Sequence, residues 1–196
     1  MSSDGRMPRP AVFMDRDGTL NYDKSYLYKF EDFEWIDRVP EALARLKASG
    51  LALVVITNQS GINRGYFTCQ DLFKLHGQVD QDLFEKVGFK MDGWYFCPHN
   101  PEIESCACRK PAPGLLQKAS QELFLDPARS YMVGDKALDI KAGLAIGVKR
   151  AILVLTSYGQ RQQKYLPPET LMVKDFPEAA DFILRDFSQS QPKNFP

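Results

Sequence analysis

Short apolar runs alternate along this chain with longer segments in which apolar residues recur every three or four positions. The runs at 11–14, 51–56 and 130–133 are continuous rather than two-periodic, as expected of parallel strands buried on both faces. Further strands are expected at about 92–97, 150–155 and 171–173. The helical spacing predicts helices over 39–49, 69–87, 113–124, 137–146 and 176–187, with Gly50, Gly88 and Gly147 marking helix ends. This alternation predicts an α/β fold, a Rossmann-like three-layer α/β/α domain with a mainly parallel sheet. One domain is expected over 10–187, between a flexible leader at 1–9 and a flexible tail at 188–196. No long segment is left over for a separate cap domain, so closure of a site would fall to loops at 23–33, 61–68 and 97–108.

The polar residues gather where these strands end. Asp15-Arg16-Asp17-Gly18-Thr19 follows the first run, and the spacing places Asp15 and Asp17 on one side of an extended chain. Two carboxylates that close are costly without a cation or proton between them, which favours a hard divalent metal such as magnesium. One of the pair is then available as a nucleophile, and the other to protonate a leaving oxygen. Asp and Gly at this spacing also serve as ordinary turn residues. Thr57-Asn58-Gln59-Ser60-Gly61 follows the second run, and Gly134-Asp135 the third. Ligands bind at the carboxyl ends of strands in open α/β sheets, so three polar strand ends predict one shared site. Asp135 would complete a three-carboxylate metal site, while Thr57 suits a phosphate oxygen, although a single Thr after a strand more often caps a helix. Arg109-Lys110, fixed by Pro111, Pro113 and Gly114 before a predicted helix, offers cations for a transferring phosphoryl group.

In this order the four stations Asp15-Arg16-Asp17-Gly18-Thr19, Thr57, Lys110 and Gly134-Asp135 resemble the haloacid dehalogenase-like (HAD) phosphohydrolase superfamily. The resemblance implies Asp15 as nucleophile, Asp17 as general acid/base, and Thr57 and Lys110 on the phosphate. It also implies magnesium on Asp15, Asp135 and the backbone carbonyl of Asp17. An aspartate at position 17 implies phosphatase rather than dehalogenase chemistry.

Cys97-Pro98-His99 and Cys106-Ala107-Cys108 bring three thiols and an imidazole together in sequence, the ligand types of a closed structural zinc site. A disulfide framework is the weaker alternative, because Cys69 lies apart at a helix start and Cys106 and Cys108 are poorly placed to bridge. A zinc knuckle for nucleic acid finds no basic stripe, since 25 basic residues balance 25 acidic ones. The cluster runs directly into Arg109-Lys110, so zinc would brace that cationic loop. His76 reads as a packed or surface side chain, and Phe30, Phe33 and Trp35 as core filling.

With Thr57-Asn58-Gln59-Ser60-Gly61-Ile62-Asn63-Arg64-Gly65 and the zinc loop included, the chain resembles the bacterial D-glycero-D-manno-heptose 1,7-bisphosphate 7-phosphatase family. That family acts on the way to nucleotide-activated heptose for lipopolysaccharide core or surface glycans. The resemblance implies substrate contacts at Asp23, Lys24, Ser25, Tyr26, Thr57, Asn58, Gln59, Ser60, Arg64, Arg109, Lys110 and Lys136. Position 25 departs from the family pattern, with Ser where Gly is familiar, and only six residues separate His99 from Cys106. Histidinol-phosphate phosphatases share most of these motifs and remain an alternative, as does a zinc-stabilised binding module without catalysis. No run is long enough to span a bilayer, and with no targeting segment and thiols used as metal ligands the expected compartment is the cytosol. A small-molecule partner and a monomer are expected.

Overall fold

The computed structural model describes residues 7–167 and 170–189. Six strands, β1 (Ala11–Met14), β2 (Ala52–Asn58), β3 (Gly93–Cys97), β4 (Tyr131–Gly134), β5 (Arg150–Val154) and β6 (Leu171–Val173), form one sheet in the order β3-β2-β1-β4-β5-β6. All pairings are parallel. The order runs one way from β1 to β3 and the other way from β4 to β6, so the topological switch point lies between β1 and β4.

The helices are α1 (Val39–Ala48), α2 (Cys69–Val87), α3 (Gly114–Glu122), α4 (Ala137–Ala145), α5 (Gly159–Gln162) and α6 (Phe176–Gln189). In β1, Val12 and Met14 face one way and pack with Leu43 and Leu46 of α1 and Ile183 of α6. Ala11 and Phe13 face the other way, against Leu116 of α3 and Ile140 of α4. The register keeps this alternation across the sheet, because Val12 pairs with Tyr131 and Met14 with Val133 on the α1/α6 face. Side chains alternate with a period of two, so continuous apolar strands are the direct result of helices on both faces. Leu72, Leu75 and Val79 of α2 close a smaller cluster over Leu27 and Phe67.

Two differences from the expected elements bear on function. The second strand continues through Thr57 and Asn58, because these residues pair with Phe96 and Cys97 of β3. The short α5 was not expected, since four residues are too few to show a period. Of the expected leader, residues 1–6 lie outside the described residues; Arg9 donates to the Phe124 carbonyl at 3.0 Å and accepts from Asp126 N at 2.8 Å. Of the expected tail, α6 runs to Gln189 and residues 190–196 lie outside the described residues. No described helix is long and apolar enough to cross a membrane.

Candidate active site

Asp15 follows β1 and Asp135 follows β4, on the two sides of the switch point. Gly18 turns the chain away at φ 84°, and a Cβ there would strike Asp135 and Ser157. Gly134 is needed for a different reason: a Cβ would collide with the Asp139 side chain, so its absence lets α4 bring Asp139 against the strand ends.

Lys110 sits at the centre, 2% exposed. Its Nζ lies 2.8 Å from Asp15 Oδ1 and 2.6 Å from Asp139 Oδ1, and donates to the Ile56 carbonyl at 2.6 Å. Two hydrogen bonds, to Asp15 and Ile56, and an ion pair with Asp139 thereby hold the ammonium. Burial alone would lower the pKa of Lys110, but Asp139 and Asp15 outweigh it and hold the group above its ordinary value. The loop that carries Lys110 is clipped to β2 by Asn58, whose Oδ1 accepts from Lys110 N at 3.1 Å and whose Nδ2 donates to Lys110 O at 3.2 Å.

Asp15, Asp135 and Asp139 are all buried, and their carboxylate oxygens lie within 4.8 Å of one another. Asp135 Oδ1 has no hydrogen-bond partner among the described residues, and Lys136 Nζ is 3.8 Å away. Burial pushes the Asp135 carboxyl up to about 8, with repulsion from Asp15 and Asp139 partly offset by Lys136; burial likewise raises Asp139 to about 6. An orphaned buried oxygen among three carboxylates fits a hard divalent cation with oxygen ligands. The set differs from the expected Asp15, Asp17 and Asp135. The Asp17 carboxylate lies outside it, leaving only its backbone carbonyl for a metal, and Asp139 stands in the third carboxylate position. Asp139 lies four residues after Asp135 at the start of α4, where an Asp reads as an ordinary helix-end residue.

Asp17 is held separately. Arg16, fully buried, donates from Nε to Oδ1 at 3.1 Å and from Nη2 to Oδ2 at 2.8 Å. Asn21 Nδ2 reaches Oδ1 at 3.0 Å and Gln59 Nε2 reaches Oδ2 at 3.0 Å. Burial would raise the Asp17 carboxyl, but the Arg16 guanidinium and these hydrogen bonds outweigh it and hold it below the usual carboxylate range. Behind Arg16 stands His76, with Nε2 at 3.5 Å from Arg16 Nη1 and its ring stacked on Trp94 at 4.2 Å. Burial, reinforced by Arg16, drives the His76 pKa down to about 3.

A cavity of about 170 Å³ joins these groups, lined by Asp15, Asp17, Thr57, Asn58, Arg109, Lys110, Lys136 and Leu138. Three larger surface concavities, of 550, 560 and 390 Å³, contain no buried carboxylate, so size does not locate the chemistry here. The other expected contacts lie outside this lining. Gln59 turns inward to Asp17 and Thr57. Arg64 forms a bidentate pair with Glu102 of the 97–108 loop at 2.7 and 3.1 Å. Lys24 pairs with Glu34 at 3.1 Å, and the Ser60 carbonyl accepts from Arg64 N. Asp23 accepts from Ser25 N at 3.0 Å and lies 3.9 Å from Lys136 Nζ, and Tyr26 meets Tyr66 edge to face.

The second cluster is as compact as the ligand types predict. Cys108 Sγ lies 3.2 Å from Cys97 Sγ and 3.4 Å from Cys106 Sγ, Cys97 is 3.6 Å from Cys106, and His99 Nδ1 is 3.1 Å from Cys108 Sγ. No described cysteine is in a disulfide. A zinc–sulfur bond near 2.3 Å would set tetrahedral sulfurs roughly 3.8 Å apart, a few tenths of an ångström outside these separations. The residues therefore fit a closed tetrahedral metal. Arg109 Nη1 donates to the His99 carbonyl at 3.2 Å, and Gln59 N to that of Cys97 at 2.7 Å, so this loop abuts the acidic cavity.

Residues 107–187 match the HAD-hydrolase-like family model. Among relatives, the D-glycero-beta-D-manno-heptose-1,7-bisphosphate 7-phosphatase of Haemophilus ducreyi is 48% identical, over 76% of this chain and 85% of that protein. The proteins of the same name from Helicobacter pylori (strain 26695) and Escherichia coli K12 are 44% and 42% identical, over 88% and 91% of this chain and 96% and 90% of theirs. The structure of a D,D-heptose 1,7-bisphosphate phosphatase from B. bronchiseptica with magnesium and phosphate superposes with a TM-score of 0.82 at 30% identity, covering 90% of this chain and 99% of that one. With its buried acids at the switch point and nearly half of its residues shared with such relatives over most of their length, this chain belongs to the D-glycero-D-manno-heptose 1,7-bisphosphate 7-phosphatase family of HAD-like hydrolases.

Proposed function

We propose that this enzyme removes the 7-phosphate of D-glycero-D-manno-heptose 1,7-bisphosphate, in the β form that the relatives' names carry, on the route to nucleotide-activated heptose. The observation that carries the proposal is the convergence of Asp15, Asp17, Thr57, Arg109 and Lys110 on one small cavity in a chain so similar to those relatives. Its volume is well below the roughly 300–1,000 Å³ of ligand-sized pockets, so it takes the reacting phosphoryl group and leaves the sugar at the mouth.

Asp15 attacks phosphorus with a carboxylate oxygen, the bond from phosphorus to the C7 oxygen breaks, and Asp17, which takes up a proton as the anionic phosphate enters beside it, gives that proton to the oxygen. Water then attacks the aspartyl-phosphate, Asp17 takes a proton from it, and inorganic phosphate leaves with Asp15 restored as a carboxylate. Lys110 places a fixed positive charge beside Asp15, while Thr57 and Arg109 offer hydrogen bonds to phosphoryl oxygens. Magnesium, held by Asp15, Asp135 and the Asp17 carbonyl with Asp139 alongside, would offset the charge of the transferring group. Zinc on Cys97, His99, Cys106 and Cys108 would keep the Arg109-Lys110 loop rigid. Free thiols and a balanced charge accord with a cytosolic monomer, which light scattering on the purified protein would check.

The test is phosphate release with magnesium from the α and β heptose 1,7-bisphosphates, histidinol phosphate and fructose 1,6-bisphosphate. The β heptose bisphosphate is expected to lead, and Asp15→Asn to abolish turnover. Preference for histidinol phosphate would move the enzyme to that substrate, and near-normal turnover by Asp15→Asn would remove the nucleophile assignment.

A further inference from the structure

Gln59 is 4% exposed, at the end of β2, and its side chain makes two hydrogen bonds with one nitrogen. Nε2 donates to Asp17 Oδ2 at 3.0 Å and to Thr57 Oγ1 at 2.9 Å. An ionised carboxylate only accepts, so the amide must present its NH2 group here, and each of its two hydrogens has one partner. From this bridge we infer that Gln59 is a positioning residue, coupling the phosphate-binding hydroxyl of Thr57 to the acid/base carboxyl of Asp17. The inference rests on the phosphatase mechanism above and adds a residue to it.

Each end of the bridge has a chemical consequence. A threonine hydroxyl has one hydrogen to give, and because Oγ1 already accepts from Gln59, that hydrogen remains available to a phosphoryl oxygen in the cavity that Thr57 lines. At Asp17 four donors surround the carboxylate: two from Arg16, one from Asn21 and one from Gln59. A carboxylate has about four lone-pair sites, so this set fills them and fixes the plane of the group. The Arg16 bonds are charge-assisted and Asn21 has no bond to Thr57, whereas Gln59 is a neutral donor with a second partner one step from the phosphate. Gln59 is therefore the donor that sets the Asp17 carboxyl in register with the Thr57 hydroxyl.

The test uses the full chain with magnesium and compares kcat/KM for two substrates, the heptose 1,7-bisphosphate and p-nitrophenyl phosphate. The ratio kcat/KM covers steps only up to departure of the leaving group. A sugar alkoxide needs a proton as it leaves and a nitrophenolate does not. Gln59→Leu, with Gln59→Met as a second variant of similar volume, is expected to lower kcat/KM about 30-fold for the sugar phosphate, part of the roughly 100- to 10,000-fold that general acid catalysis supplies, and about threefold for the nitrophenyl ester. In an Asp17→Asn background the extra loss with the sugar phosphate is expected to vanish. Equal losses with both substrates, no loss in either variant, or an undiminished loss in the Asp17→Asn background would each overturn the coupling. Wild-type protein that turns over neither substrate would overturn the phosphatase assignment and the inference with it. Turnover of p-nitrophenyl phosphate and another alkyl phosphate, without the heptose bisphosphate, would overturn only the substrate, and the same comparison then decides Gln59 with that alkyl phosphate.

Discussion

Asp135→Asn separates what the acidic cluster does for catalysis from what it costs the fold. Asp135 is 0% exposed, its Oδ1 lacks a hydrogen-bond partner among the described residues, and its carboxylate lies within 4.8 Å of Asp15 and Asp139. A buried polar atom left unsatisfied costs about 1–3 kcal/mol, and neighbouring like charges add to that. Asparagine keeps the shape, can still accept from Tyr158 N, and brings amide hydrogens for which Asp15 and Asp139 are acceptors. Without magnesium the variant should thus be more stable than the wild type by about 2 kcal/mol, which for a chain of this size raises Tm by roughly 4–8 °C. Magnesium should reverse the order. At a hundred times its dissociation constant a ligand stabilises by about 2.7 kcal/mol, which the wild type gains and the variant, with a ligand weakened, largely loses. The assay is thermal unfolding after dialysis into magnesium-free buffer and again with magnesium titrated in; a chelator would also strip the thiol cluster and is avoided. Activity should fall at least about 100-fold. A variant less stable than the wild type without magnesium, or stabilised by magnesium as much as the wild type, would refute the reasoning.

Three further outcomes are expected. His76 is buried neutral with its pKa lowered to about 3, so its contribution to stability is fully present above about pH 6.5 and is lost as the pH falls towards 3; between pH 7 and 5 the loss is about 2 kcal/mol. His76→Phe, which keeps a ring against Trp94, should flatten that part of the curve in urea titrations, and an unchanged slope would exclude His76 as its source. Ser25 lies at φ 51°, in the left-handed region, so Ser25→Gly should stabilise by about 0.5–1 kcal/mol; a lower urea midpoint would contradict this. Elemental analysis should find about one zinc per chain, and Cys108→Ser should lose it together with about tenfold in kcat/KM; full activity in zinc-free protein would remove the brace.

Much of this was legible in the sequence, because burial on both faces leaves a direct mark. The apolar runs of β1, β2 and β4 have no polar residue to interrupt them, and each stops at a group that lines or borders the cavity. The cysteine–histidine cluster was legible for a related reason: its four members are close in sequence. What was hidden depends on direction. Asn58 and Gln59 belong to the expected substrate segment, yet Asn58 binds the Lys110 backbone and Gln59 turns to Asp17, and neither orientation follows from residue type. Asp139 was hidden by its position at a helix start, and the Arg64–Glu102 pair by the 38 positions that separate its members. Ser25 shows the reverse: the departure from Gly was visible in sequence, and its meaning, a positive φ, came only with the fold.

Lys110 is held by hydrogen bonds to Asp15 and the Ile56 carbonyl and by an ion pair with Asp139. A cation so held acts on a phosphate beside Asp15 first of all through its field. The field is the same for any phosphate monoester whose phosphorus reaches Asp15, so the innermost layer of the site is indifferent to what the phosphate is attached to. Discrimination must then come from groups beyond those that meet the phosphoryl group, Lys136 beside Asp23 among them. Substrate preference and chemical power thus occupy separate layers, and the outer one is open to change while the inner one stays fixed.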